Sequence, residues 1–179
     1  TATVPGADEG LLTGSITASP ASWDNYKAST TLTTTTDFKI QYQVGNTSES
    51  GWSEAANSPV TVSNLNHGDT VYARLTDGTN AGDYAAINIL DGTPPTVSVA
   101  VDEVTDTTIA VTVTANDGQS GLADSNAYRY YLNDEPTPRA TSSSNTYTYE
   151  GLTGSTDYTI KVEAVDKAGR TGSDTTQAT

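Results

Sequence analysis

The residues best placed to do chemistry in this chain are its aspartates. Asp and Glu total 22 against 8 Lys and Arg. Asp91 and Asp117 are each followed by glycine, and Asp124 and Asp166 stand in polar segments between apolar runs. Calcium takes about six to eight oxygens, which carboxylates and loop carbonyls supply flexibly. The same Asp-Gly steps make turns with no ion, because Asp accepts backbone hydrogen bonds and tolerates turn geometry, and the spacing fits no EF-hand. Both readings stay open.

Other chemistries find fewer residues. His67 is the only histidine and sits beside Gly68 in a predicted tight turn, so a triad or a histidine metal site would have to be built around a solvated turn residue. Cysteine is absent, which removes disulfides, thiol nucleophiles and Cys-ligated zinc. Paired carboxylates hydrolyse sugars only across a cleft, and the short loops expected here leave little room for one, so no enzyme is expected. Trp23, Tyr26, Trp52 and Tyr131 are candidates for stacking on a sugar ring. Alternatively, Trp23 and Trp52 pack at the margins of a core that has one Phe. The lysines are Lys27, Lys39, Lys161 and Lys167. Lys39 and Lys161 alternate with apolar neighbours and so face solvent, away from the dry site that a Lys–Asn amide crosslink needs.

Strands must position these residues. From Gly151 to Gly169 the chain reads GLTGSTDYTIKVEAVDKAG, in which Tyr158, Ile160, Val162 and Ala164 alternate with Thr159, Lys161 and Glu163, the period of a half-buried strand. Strands are predicted at 96–101, 107–115, 127–133, 145–150, 158–165 and 173–177. In the first half they are predicted at 15–19, 29–35, 38–44, 60–63, 70–75 and 84–90, with Gly, Asp, Asn and Ser turns between them. Phe38, Ile40, Tyr42 and Val44 make one apolar face of their strand, and Tyr128 and Tyr130 share a face, which leaves Tyr131 toward the surface, where a tyrosine stripe can serve as an interface. Thr93-Pro94-Pro95 is the predicted boundary, since consecutive prolines withhold donors and cannot sit in a central strand. The expected division is a loose segment over 1–13, one β-sandwich over 14–92 and another over 93–179. Leu65, Tyr72 and Asp77 repeat the plan of Leu152, Tyr158 and Asp166, with one gap.

Composition agrees with an all-β chain. Hydrophobic residues make up 34% and mean hydropathy is -0.45, which suits thin sandwich cores. The net charge of -14 repels nucleic acid phosphates and anionic lipid heads, so neither nucleic acid binding nor membrane insertion is expected. It also keeps the surface soluble. With no Met, leader or membrane-length apolar run, the chain is read as a piece of a longer product.

The order Leu, turn, Tyr, alternating strand, Asp-x-Ala-Gly resembles the next-to-last strand of fibronectin type III domains, whose tyrosine fastens a corner of the sandwich. The stretch from TPPTVSVAV through DGQSGL to EAVDKAG resembles the fibronectin type III-like repeats of bacterial cell-surface proteins. SITASPASW, FKIQYQV and HGDTVYARL resemble their Ig-like repeats, although Asp24-Asn25 and a Thr run stand where such repeats vary and no sorting motif is present. The resemblance implies two tandem Ig-like/fibronectin type III-like antiparallel sandwiches, extracellular or on the surface of a Gram-positive bacterium. Their implied role is that of a non-catalytic spacer or stalk, or of a module that presents an adhesive region beside neighbouring domains of the parent protein. The alternatives it carries are an adhesin module for a host or cell-wall glycan or protein and a subunit of a surface filament. In that fold the loops after the second and the next-to-last strand lie at the end where the chain enters. Asp117, Asp124 and Asp166 would then approach Asp91, and Ca2+ held there would stiffen the joint.

Overall fold

The structure is a computed structural model that describes Ala2 and Thr3, Leu12 and residues 14–179. The rest of the expected loose segment 1–13 lies outside the described residues. The chain divides into two units, Thr1–Asp91 and Gly92–Thr179, a cut one residue before the expected 92/93 boundary. No helix among the described residues is long and apolar enough to cross a membrane.

The first unit carries β1 (Ala2–Thr3), β2 (Ser15–Ala18), β3 (Ser22–Asp24), β4 (Lys27–Thr34), β5 (Lys39–Val44), β6 (Val60–Leu65), β7 (Thr70–Thr76) and β8 (Ala81–Asn88). One sheet runs β1-β2-β4-β3 with β6 also on β4, and the other runs β5-β7-β8. All the pairings are antiparallel. Their apolar faces meet in a core of Ile16, Leu32, Val62 and Leu65 from one sheet against Ile40, Val71, Leu75 and Ala85 from the other. Alternation produces this: in β7 Val71, Ala73 and Leu75 are buried while Tyr72 and Arg74 point outward.

The second unit carries β9 (Thr96–Val104), β10 (Thr108–Asn116), β11 (Tyr128–Leu132), β12 (Ala140–Ser142), β13 (Thr146–Glu150), β14 (Tyr158–Val165) and β15 (Thr171–Ala178). They form sheets of order β13-β10-β9 and β12-β11-β14-β15, a seven-strand sandwich of the immunoglobulin type. Val99, Ile109, Val111, Val113 and Tyr149 pack against Tyr128, Tyr130, Leu132, Ile160, Val162 and Ala164. Three buried or half-buried tyrosines knit this core. Tyr130 stacks on Tyr147 with ring centroids 4.9 Å apart, and Tyr147 meets Tyr149 edge-on at 4.8 Å. The Tyr130 hydroxyl donates to the Ser144 carbonyl (2.7 Å) and that of Tyr149 to the Tyr131 carbonyl (3.0 Å), which satisfies the polar tips that burial takes from water.

Two edge strands of this unit also meet through a side chain. Asp174 on β15 accepts the Val99 N–H of β9 (2.9 Å). Nearby, a Cβ on Gly172 would fall against the backbone of Pro95.

The predicted corner forms in the second unit only. The Tyr158 hydroxyl accepts the Thr153 N–H (2.9 Å) across the turn that follows Leu152. Tyr158→Phe is expected to leave that amide without its partner and to cost about 1 kcal/mol in urea denaturation, the net worth of one such bond. An unchanged midpoint would show that the corner is held by packing alone. The proposed counterparts in the first unit differ. Tyr72 lies on the outer face, edge-on to Tyr84 at 5.3 Å. Asp77 is exposed in a hairpin, where its Oδ1 accepts the N–H groups of Thr79 (2.8 Å) and Asn80 (2.7 Å). Those bonds hold its carboxyl below the usual range. Tyr72 stands seven residues after Leu65 where Tyr158 stands six after Leu152, and a shift of one in a strand exchanges the faces.

Candidate metal centre

Asp117 follows β10 and Asp166 follows β14, so two strands of opposite sheets deliver them to one end of the second unit. Both are 2% exposed. Neither carboxylate uses its oxygens evenly. Asp117 Oδ2 accepts the N–H groups of Gly121 (2.6 Å) and Gln119 (3.3 Å), folding its own loop, while Oδ1 has no partner in the protein. Asp166 Oδ1 accepts the Arg170 N–H (2.7 Å), closing the β14–β15 hairpin, while Oδ2 has no partner in the protein. The two loops are tied by backbone bonds, from Lys167 N–H to the Gly121 carbonyl and from Ala123 N–H to the Val165 carbonyl, both 2.9 Å. Leu122 bridges Asp166 in the same pattern.

Asp91 is the last residue of the first unit. The start of the second unit is anchored locally, for Gly92 N–H donates to Gln119 Oε1 and Gln119 Nε2 donates to Thr93 Oγ1, both at 2.9 Å. One carboxylate oxygen of Asp117 and one of Asp166 lie within 4.8 Å of each other. Unit negative charges about 5 Å apart repel by roughly 3 kcal/mol per pair at an effective dielectric of about 20. A hard divalent cation would offset that repulsion, and calcium–oxygen distances of about 2.3–2.6 Å suit the span.

Asp124, the fourth aspartate expected from the sequence, lies outside this group. Its side chain is 86% exposed and pairs with Lys167 Nζ at 2.9 Å. Of the four expected carboxylates, Asp117 and Asp166 come together within the second unit. Burial of Asp117 and Asp166 has a signal in the sequence: each ends a strand on the face of its buried residues, after Ala115 and after Ala164.

The aromatic candidates occupy separate surroundings. Trp23 on β3 packs half-buried against the first core, and Tyr26, in the adjoining turn, is 54% exposed. Trp52 is half-buried, with the Arg74 guanidinium 4.0 Å over its ring and Tyr84 at 6.2 Å. Sequence reasoning missed Arg74 and Tyr84 as the partners of Trp52, although both stand on outward positions of their strands. Tyr131 donates its hydroxyl to Glu163 Oε2 (2.9 Å), and Lys161 Nζ lies 5.0 Å from its ring centre. Burial opposes ionisation of Glu163, but hydrogen bonds from Lys161 and Tyr131 prevail and hold its carboxyl below the usual range. His67 serves the fold, since its Nδ1 accepts the Asp91 N–H (3.0 Å). Lys27 Nζ donates to Asn66 Oδ1 (2.6 Å) in an exposed contact, while Lys39 is exposed and Lys161 half-exposed.

No protein-family model and no curated protein matches the chain. Among solved structures it is similar to the fibronectin(III)-like modules of CbhA from Clostridium thermocellum, at 16% identity over 90% of this chain and 92% of that one, with a TM-score of 0.39. It is also similar to the FN1–FN3 domains of chicken CNTN1, at 18% identity over 97% of this chain and 67% of that one, with a TM-score of 0.37. The tandem of sandwiches itself is read from the sheets and cores described above.

Proposed function

We propose that this chain is a non-catalytic spacer or presenting segment of a bacterial extracellular multidomain protein. The observation that supports it best is that each unit has its own pair of sheets and its own closed core. Such units hold their shape while they separate or display what flanks them. The groups that catalysis would recruit have structural duties instead. His67 receives the Asp91 amide, and Asp117 and Asp166 each fold a loop. The aromatic candidates support an adhesive reading less well, because Arg74 covers a face of Trp52 and Tyr131 is engaged by Glu163.

The test is a replacement in the parent protein. Exchanging 14–179 for an unrelated pair of sandwiches of equal length should preserve the activity of the flanking regions, whereas deleting it should impair them. Loss of a specific adhesion on exchange would instead favour the binding module. A glycan-array signal that Trp52→Ala abolishes with the fold intact would locate that module.

A further inference from the structure

We infer that the second sandwich binds one calcium ion through Asp117 and Asp166. The site goes beyond the spacer reading and does not depend on it. Clustered acids alone would not carry this, since aspartates gather in turns for their own hydrogen bonds. What points to a ligand is the state of these two buried carboxylates. Asp117 and Asp166 are each 2% exposed, and each retains one oxygen with no partner in the protein. A buried polar atom without a partner carries the full cost of leaving water, and an ionised one costs more. In both residues the other oxygen already serves the local backbone, so loop folding alone accounts for half of each carboxylate.

The geometry makes the site rigid before the ion arrives. The Asp117 loop is fixed by the bonds to Gly121 and Gln119 and the Asp166 hairpin by the bond to Arg170, while the bonds from Lys167 and Ala123 join the two. An oxygen of Asp117 and an oxygen of Asp166 stand within 4.8 Å of each other. An all-oxygen set of carboxylates, completed by loop carbonyls or water, suits calcium's variable coordination. Magnesium asks for a near-ideal octahedron at about 2.0–2.1 Å and releases its own waters reluctantly. Asp124 is not a ligand, because it is exposed and paired with Lys167.

The test uses the whole chain after chelator treatment, titrated calorimetrically with CaCl2 and separately with MgCl2. One calcium per chain is expected, with a Kd of about 10⁻⁴ M, the range of extracellular modules, and at least about tenfold weaker binding of magnesium. Asp166→Asn keeps an oxygen for the Arg170 amide and removes the charge, so it should weaken calcium at least about tenfold, as should Asp117→Asn. Asp124→Asn should bind as the parent does. Should Asp166→Asn fail to fold, the wild-type titration and the Asp124→Asn control still decide. No calcium heat and no calcium-dependent rise in melting temperature would overturn the proposal. So would binding that survives both Asp166→Asn and Asp117→Asn, or that is lost in Asp124→Asn.

Discussion

Gly172→Ala is expected to dislodge the last strand of the second sandwich. A Cβ at this position would overlap the Pro95 carbonyl oxygen and stand 2.9 Å from its carbon. Both are backbone atoms, so no rotamer change relieves the overlap, and either β15 or the entry to β9 must move. Overpacking against mobile side chains costs about 1–3 kcal/mol. Here the obstacle cannot rotate away, and a loss above about 4 kcal/mol is expected, in the range reserved for exceptional substitutions. A domain has only about 5–15 kcal/mol in total, so much of the unit should be unfolded or should melt with its final strand detached. Urea denaturation followed by circular dichroism checks this, with Gly118→Ala as the control, because a Cβ there meets nothing within 4 Å. Equal midpoints for the two variants would mean that Pro95 yields freely.

Tyr130→Ala should have the next largest effect, about 3–5 kcal/mol, the cost of deleting a large buried ring. Tyr130 is fully buried and stacks on Tyr147. Tyr130→Phe keeps the ring and strands only the Ser144 carbonyl, at a cost of about 1 kcal/mol. The hydroxyl also sets a pH dependence. Burial, helped by the nearby Tyr128, pushes its pKa from 10.0 up to about 12. The folded state thus holds this proton more tightly than the unfolded chain. Its contribution is complete below pH 10 and is lost as the pH rises toward about 12. Burial drives Tyr149 in the same direction. Alkaline denaturation curves should therefore fall less steeply for Tyr130→Phe than for the parent protein. Parallel curves would count against the tyrosine as the titrating group.

The long strands were legible because their faces differ. Ile160, Val162 and Ala164 alternate with polar residues so regularly that β14 begins and ends where the sequence places it, at Tyr158 and Val165. Short strands had no such signal. Ser22–Asp24 is too brief to show a period, and its hairpin turn hides as well, since Asn25 and Tyr26 hold φ of 47° and 63° where an Asn-Gly pair would announce the turn. Ala140–Ser142 lies between Pro138 and a serine run, and its place is set by pairing with β11. Two of the candidate carboxylates were legible for a related reason. Asp117 and Asp166 continue the inward positions of β10 and β14 past their last apolar residues, whereas Asp124 comes from a loop whose direction no period fixes. The fate of Trp52 was not legible. Its cover comes from Arg74 on β7, and only the pairing of Gln41 with Arg74 across β5 and β7 brings that strand alongside.

The bond from Val99 N–H to Asp174 has a consequence for crowded surroundings. A strand at the border of a sheet offers donors that a stranger's strand can zip onto, and tandem β-modules raise the local supply of strangers. Asp174 occupies one of β9's outward donors with an anionic group from the opposite sheet. A foreign strand would have to displace a charged partner before its first rung could form. The same carboxylate that ties two sheets together thus makes this flank a poor template for aggregation.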